Sequence, residues 1–216
     1  MRISVFISII FICMVSCSDN STNSNDALES VKIGNNYWAK FNLDVVTYRN
    51  GDAIPQVTDT NEWKKLTTGA WCYYNNDPEL GKIYGKLYNW YAINDPRGLA
   101  PTGFHVATDD EWKELITALG GADVAGGKLK STGTEFWSTP NKGATNSTGF
   151  SALPGGARDT NGTFLTHKYL GAFWTSTQFD SENAFYYGMS HIVEKAIQVK
   201  YIKKTGCSVR CVKDQK

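Results

Sequence analysis

A chain of 216 residues with 41% hydrophobic and 13% aromatic content carries enough apolar mass to bury a core, which excludes wholesale disorder. Its 22 basic and 21 acidic side chains leave a net charge of +1, so nothing electrostatic favours nucleic acid or an anionic membrane surface. The 7 Trp, 11 Tyr and 10 Phe, set among 20 Gly, suit short strands and turns better than a helical bundle.

The chain opens MRISVFISIIFICMVSC: one cation, Arg2, then an apolar run from Ile3 to Val15. That run is too short to cross a bilayer and has the length of a signal-peptide core. Met14-Val15-Ser16-Cys17 resembles a bacterial lipobox, with Met14 where leucine is usual. Residues 1–16 are therefore expected to be a leader and Cys17 the lipid-attachment site. Residues 17–30 are polar and without apolar periodicity, which reads as a flexible tether to one domain over 31–214. A lipidated cysteine on such a tether places the domain in the bacterial cell envelope, on the outer membrane or cell surface, with the membrane reached through the lipid.

Within the domain, VKIGNNYWAKFNL (31–43) predicts a hairpin about its Gly-Asn-Asn turn. DTNEWKKL (59–66) carries the Asp59…Glu62 spacing of a capping box and predicts a short helix. An aromatic block follows, AWCYYNNDPELGKIYGKLYNWYAINDPRGL, in which Asn76-Asp77-Pro78 and Asn94-Asp95-Pro96 initiate turns around an apolar segment. TDDEWKELITALGG (108–121) has the strongest helical pattern: Trp112, Leu115, Ile116 and Leu119 share a face, Thr108 and Glu111 form a capping box, and Gly120-Gly121 stop it. Asp109, Asp110, Glu111 and Glu114 read as capping and a solvated face rather than a calcium site.

From 121 to about 184 the Gly, Ser, Thr and Asn content predicts loops. Among them is GFSALPGGARDTNGTF (149–164), where Pro154-Gly155-Gly156 marks a tight turn and Asn161-Gly162 a hairpin. It lacks the lysine and following helix of a phosphate loop, and Arg158 is expected to tie loops together by hydrogen bonds. AFYYGMS, KAIQVKYIK and CSVRCVK close the chain as strands. The class is α+β with limited antiparallel sheet.

Cys13 falls in the leader and Cys17 at the lipid site, which leaves Cys72, Cys207 and Cys211. A Cys207/Cys211 metal pair lacks partners, since His105, His167 and His191 are scattered without zinc-ligand spacing. One disulfide plus a spare thiol fits a disulfide-permitting compartment. Cys72–Cys211 is the favoured pair, because closing so long a loop is worth about 4–5 kcal/mol in chain-entropy terms.

Five segments, in their joint order, carry a resemblance: YGKLYNWYAINDPRGLAPTGFHVATDDEW (84–112), GGKLKSTGTEFW (126–137), GATNSTGFSALPGGARDTNGTF (143–164), FWTST (173–177) and GCSVRCVKD (206–214). The chain resembles the Fibrobacter succinogenes major paralogous domain over roughly residues 31–214. The resemblance implies a formylglycine-generating-enzyme-like or C-type lectin-like fold, a compact irregular domain with short helices, small antiparallel sheets and long ordered loops. This sequence departs from the family pattern at Ala100, where cysteine is common, at Phe104, where tryptophan is, and at Cys207, where an aromatic is usual. Retention of Cys72 in AWCYYNNDP accords with its pairing to Cys211 and makes Cys207 the spare.

The related sulfatase-modifying oxidases hold copper with paired thiolates, the soft ligands Cu(I) prefers. Phe173–Thr205, where the resemblance places such thiols, contains none, and no G-x-S-x-G occurs. No catalytic residue, cofactor or metal is therefore expected. Lectin-type Glu-Pro-Asn, Gln-Pro-Asp and Trp-Asn-Asp are absent, and Asp159-x-Asn161-Gly162 lacks the later ligands of a calcium loop. The expected role is surface recognition or adhesion, with a polysaccharide or an envelope protein as partner. Alternatives are a structural or interaction protein of the envelope, and an oxidase of the sulfatase-modifying kind. Candidate ligand residues are Trp90, Trp137, Arg158 and Trp174, then Tyr91 and Phe173, each weighed against the core role that bulky aromatics serve in loop-rich folds.

Overall fold

The computed structural model describes residues 28–215; the expected leader, Cys17 and most of the expected tether lie outside them. β1 (Ser30–Ile33) and β2 (Asn36–Ala39) form the expected antiparallel hairpin, turning at Gly34 with φ 62°. Asp59 caps α1 (Thr60–Lys65) by accepting the N–H groups of Asn61 and Glu62. β3 (Trp71–Cys72) leads through a 3₁₀ turn to α2 (Pro78–Tyr84), a helix where the pattern predicts a turn and an apolar segment. Its start is local chemistry: Asp77 accepts the Glu79 N–H, and Pro78 stands in the first turn, where no backbone donor is needed.

β4 (Leu87–Tyr88), α3 (Trp90–Ile93) and β5 (Phe104–Val106) precede α4 (Asp109–Ala118), whose Thr108/Glu111 capping box is complete. Asp109 corrects the expectation of a solvated acidic face. It is buried, accepts hydrogen bonds from Tyr187 Oη and Gln198 Nε2, and pairs with Lys113. α5 (Ala122–Leu129) forms where loop is expected, and its Gly126 and Gly127 show why. A Cβ on Gly126 would stand 2.3 Å from the Lys195 carbonyl oxygen, and one on Gly127 2.4 Å from that of Gly143. Tertiary approach, not helix propensity, selects glycine there.

β6 (Ala157–Arg158) and β7 (Phe164–Leu165) pair as the hairpin predicted about Asn161-Gly162. β8 (Leu170–Gln178), β9 (Asn183–Ser190), β10 (Ala196–Ile202), β11 (Ser208–Val209) and β12 (Cys211–Lys213) complete the chain. One sheet has the order β1-β2-β12-β5; a second has β10-β9-β8-β11, with β11 parallel to β8 and the other pairs antiparallel. Short helices and small, mainly antiparallel sheets make this an α+β domain. Around β8 the second sheet is buried on both faces, while its edge strand β10 is mostly exposed. Phe173, Tyr187 and Met189 meet Trp112 of α4 and Leu129 of α5 on one side, while Ala172 and Trp174 meet Tyr88 and Trp90 on the other.

Long loops need ties, and buried cations supply them. Lys130 donates to the carbonyls of Lys142, Ser190 and Val193, each at 2.9 Å, beneath the Trp137 ring. Lys203 donates to Gln178 Oε1 and to the carbonyls of Asp180 and Ser181 beside Trp90. Arg158 reaches the carbonyls of Val57, Thr58 and Gly162 with its guanidinium 4.4 Å from the Trp63 ring centre. Arg210 reaches those of Ala39, Phe150 and Ser151, and Asn42 Oδ1, over Phe150. Lys86, paired with Asp44, packs on Trp71 and Tyr73. A buried charge is tolerable only when its hydrogen bonds are made, and here carbonyl dipoles and ring faces do most of that.

Candidate functional site

The predicted ligand aromatics lie inside. Trp90, Trp137, Phe173 and Trp174 are buried, and the indole N–H groups point to backbone: Trp90 to Thr175, Trp137 to Ala152, Trp174 to Tyr88 and Thr205. Arg158 is fully buried and ties loops, as its sequence context predicts, which removes it from a ligand surface. Tyr91 is half-buried. The reason is general: a fold with little regular structure secures its loops on its largest side chains.

The predicted Cys72–Cys211 bond is absent, and Cys72, Cys207 and Cys211 are free, buried thiols. Cys72 packs with Val57, Trp63 and Leu87, whereas Cys207 and Cys211 belong to a different cluster with Tyr88, Trp90 and Trp174. Cys207 and Cys211 are separated by a largely extended run, about 13 Å at about 3.3 Å per residue, beyond disulfide reach. Burial pushes the Cys72 and Cys211 thiols up to about 12, and lifts that of Cys207 as well. None offers a thiolate.

An open cleft of about 600 Å³ lies between the loop that follows β2, the helix α2, and the loops around Ser131 and Ser151. Phe41, 65% exposed, and Ile83 flank its mouth, and Phe136 and Leu153 line it further. Asn42 holds the first wall in place: its amide donates to the Tyr84 carbonyl at 2.8 Å while its oxygen accepts from Arg210 at 2.8 Å. Gly85, at φ 71°, brings the end of α2 against that wall, since a Cβ there would stand 3.1 Å from the Leu43 carbonyl oxygen. On the far side Ser151 presents its carbonyl to Arg210, and Ser131 Oγ is buried with no hydrogen-bond partner among the described residues.

The cleft is electrically quiet. Lys82 pairs with Glu79, Lys40 with Glu29, and Asp44 with Lys86, so each rim charge has its counterion. Arg210 at the floor has its pKa drawn down by burial to about 9 and remains a cation, but its N–H groups are committed to carbonyls and Asn42. Neither serine hydrogen-bonds a histidine, so the walls offer shape, aromatic faces and neutral polar groups rather than an activated nucleophile. Among the described residues no group of three or more His, Cys, Asp or Glu could hold a metal, and no helix is long and apolar enough to cross a membrane. The cleft residues escape sequence reading because KFN and GKIY each set one apolar side chain beside a lysine, a pattern shared by any half-buried loop.

These features define a loop-rich α+β domain pinned by buried cations around a neutral cleft. The chain belongs to the Fibrobacter succinogenes major domain family, whose model matches residues 31–213. No curated protein and no solved structure matches it.

Proposed function

We propose that this is a lipid-anchored envelope protein that recognises a surface glycan through the Phe41 cleft and carries out no catalysis. The observation that carries the reading is the cleft itself: an exposed aromatic ring at the mouth of a hydroxyl- and amide-bearing groove whose rim charges are each paired. A sugar offers C–H faces to an aromatic ring and hydroxyls to amides and serines, and needs no net charge. The long ordered loops and small sheets support a formylglycine-generating-enzyme-like or lectin-like build. The buried thiols speak against copper oxidation, which requires accessible thiolates.

A polysaccharide array probed with the full chain tests the cleft. Phe41→Ala is expected to weaken glycan retention about tenfold without lowering the melting temperature, since Phe41 is mostly exposed. If the wild-type chain retains no glycan, the reading fails. The anchor has its own test, Cys17→Ser with radiolabelled palmitate: the variant should lose both label and membrane partition, and membrane partition that persists refutes the anchor.

A further inference from the structure

A second, smaller pocket of about 160 Å³ lies between the β6–β7 hairpin and the face of β8, β9 and β10. It is separate from the Phe41 cleft and shares none of its lining residues. Leu165, Leu170 and Ala172 give it apolar walls. The Tyr186 and Tyr201 rings stand nearly perpendicular, at 80° with centres 6.0 Å apart. Asp159, which follows β6 in the glycine-rich stretch, is the one charged side chain lining it. That carboxylate spends Oδ1 on the Thr160 N–H at 2.7 Å. Asp159 and Tyr201 line the same pocket, and burial, and after it the Asp159 carboxylate, push the Tyr201 phenol above its usual pKa.

Thr205 is the independent sign of a ligand. Its side chain is only 2% exposed, it lines this pocket, and Oγ1 has no hydrogen-bond partner among the described residues. A buried hydroxyl left unpaired costs free energy until it gains a partner, as donor or acceptor, whereas the Asp159 carboxylate beside it calls for a donor. An occupant that satisfies both carries N–H or O–H donors and tolerates two aromatic faces. An anion is repelled by Asp159, and a purely apolar group leaves Thr205 unpaired.

We propose that this pocket binds a primary alkylammonium, presented as the end of a lysine side chain of a partner protein. The ammonium donates to Thr205 Oγ1 and Asp159, its charge faces the tyrosine rings, and the methylene stem lies along the leucines. The volume is right for about six heavy atoms, since a 150 Å³ cavity holds benzene. An amino sugar offers the same ammonium on a bulkier, hydroxylated ring, and is the source the test must separate.

Calorimetry on the full chain with Nα-acetyl-lysine methylamide, its Nε-acetylated analogue and glucosamine decides it. The lysine amide is expected to bind saturably, the acetylated analogue at least tenfold more weakly. Asp159→Asn and Tyr201→Phe should separate the contributions: the first, isosteric, loses about tenfold, and the second, which keeps the ring, loses little. Phe41→Ala should leave this binding unchanged, so failure here and failure of the glycan reading are read independently. No saturable binding of the lysine amide, equal binding of the acetylated analogue, or tighter binding of glucosamine overturns the proposal.

Discussion

His105 shows how much one side chain can fasten. From β5 its Nδ1 meets Asp214 and its Nε2 meets Glu111, each at 2.7 Å, so it joins the end of β12 to the capping box of α4. The Glu111 hydrogen bond, with Asp214 adding to it against the opposing effect of burial, raises its pKa to about 9. A folded-state value above the unfolded one near 6.5 contributes stability that is complete below about pH 6.5 and lost as pH rises through about 9. The Glu111 value is lowered by that same His105 bond against burial, so its share is present above the unfolded carboxylate value and lost on acidification below it. The melting-temperature gap between wild type and His105→Gln should thus be widest near pH 5.5–6.5 and narrow towards pH 9; solvent screening of this half-exposed ring holds the stability difference behind it to about 1 kcal/mol. Lys130 is the opposite case, fully buried. Burial draws its pKa down to about 8, still above neutrality, while the three carbonyls complete its hydrogen bonds. Lys130→Met leaves those carbonyls unpaired and should cost about 3–5 kcal/mol in urea unfolding, with no rescue by Lys130→Arg, whose planar fork does not match the cage. Neither histidine nor lysine was legible as a tie: GFHVAT and KLKST give a residue type, and the partners come from segments far away in the chain.

Helices in this domain divide by what selects them. α4 was readable because its apolar face, cap and glycine stop all lie within one stretch, and the structure reproduces that reading almost residue for residue. α2 and α5 were not, because their glycines answer to neighbours. A Cβ on Gly81 would stand 2.3 Å from Tyr73 Cδ1, so α2 can press on Tyr73 only with glycine at that point. Gly81→Ala, which helix propensity alone would favour, is therefore expected to destabilise by about 1–3 kcal/mol through overpacking. A double-mutant cycle with Tyr73→Ala in chemical denaturation checks this: most of the loss should vanish when the ring is gone. The same displacement should weaken the Phe41 cleft, whose wall α2 supplies. The glycine-rich stretch 149–164 was legible as a hairpin for the converse reason, since its turn residues and both strands are local. Its pocket was not, because Tyr186, Tyr201 and Thr205 come from elements beyond it.

The molecule as a whole is held by packing, carbonyl-bound cations and ring faces, with no covalent bridge among Cys72, Cys207 and Cys211. Reductant should therefore leave its melting temperature unchanged, whereas a Cys72–Cys211 bond would make reduction cost about 4–5 kcal/mol. A thiol reagent should label these three cysteines only as fast as the domain unfolds; rapid labelling of any one at neutral pH would contradict their burial. Sequence spacing favoured the bridge because it weighs loop length, while separation into two core clusters is a property of the folded chain. The placement of β12 has a consequence for biogenesis. Trp38 of β2 pairs with Val212, and β12 also joins β5, so the first sheet is held together by the last strand. Synthesis at about 5–20 residues per second delivers β2 on the order of ten seconds before that strand. Through that interval the sheet has a gap at its centre and cannot lock. A nascent chain kept open in this way stays threadable, which is the condition the proposed lipid anchoring requires until the last residues have crossed a membrane.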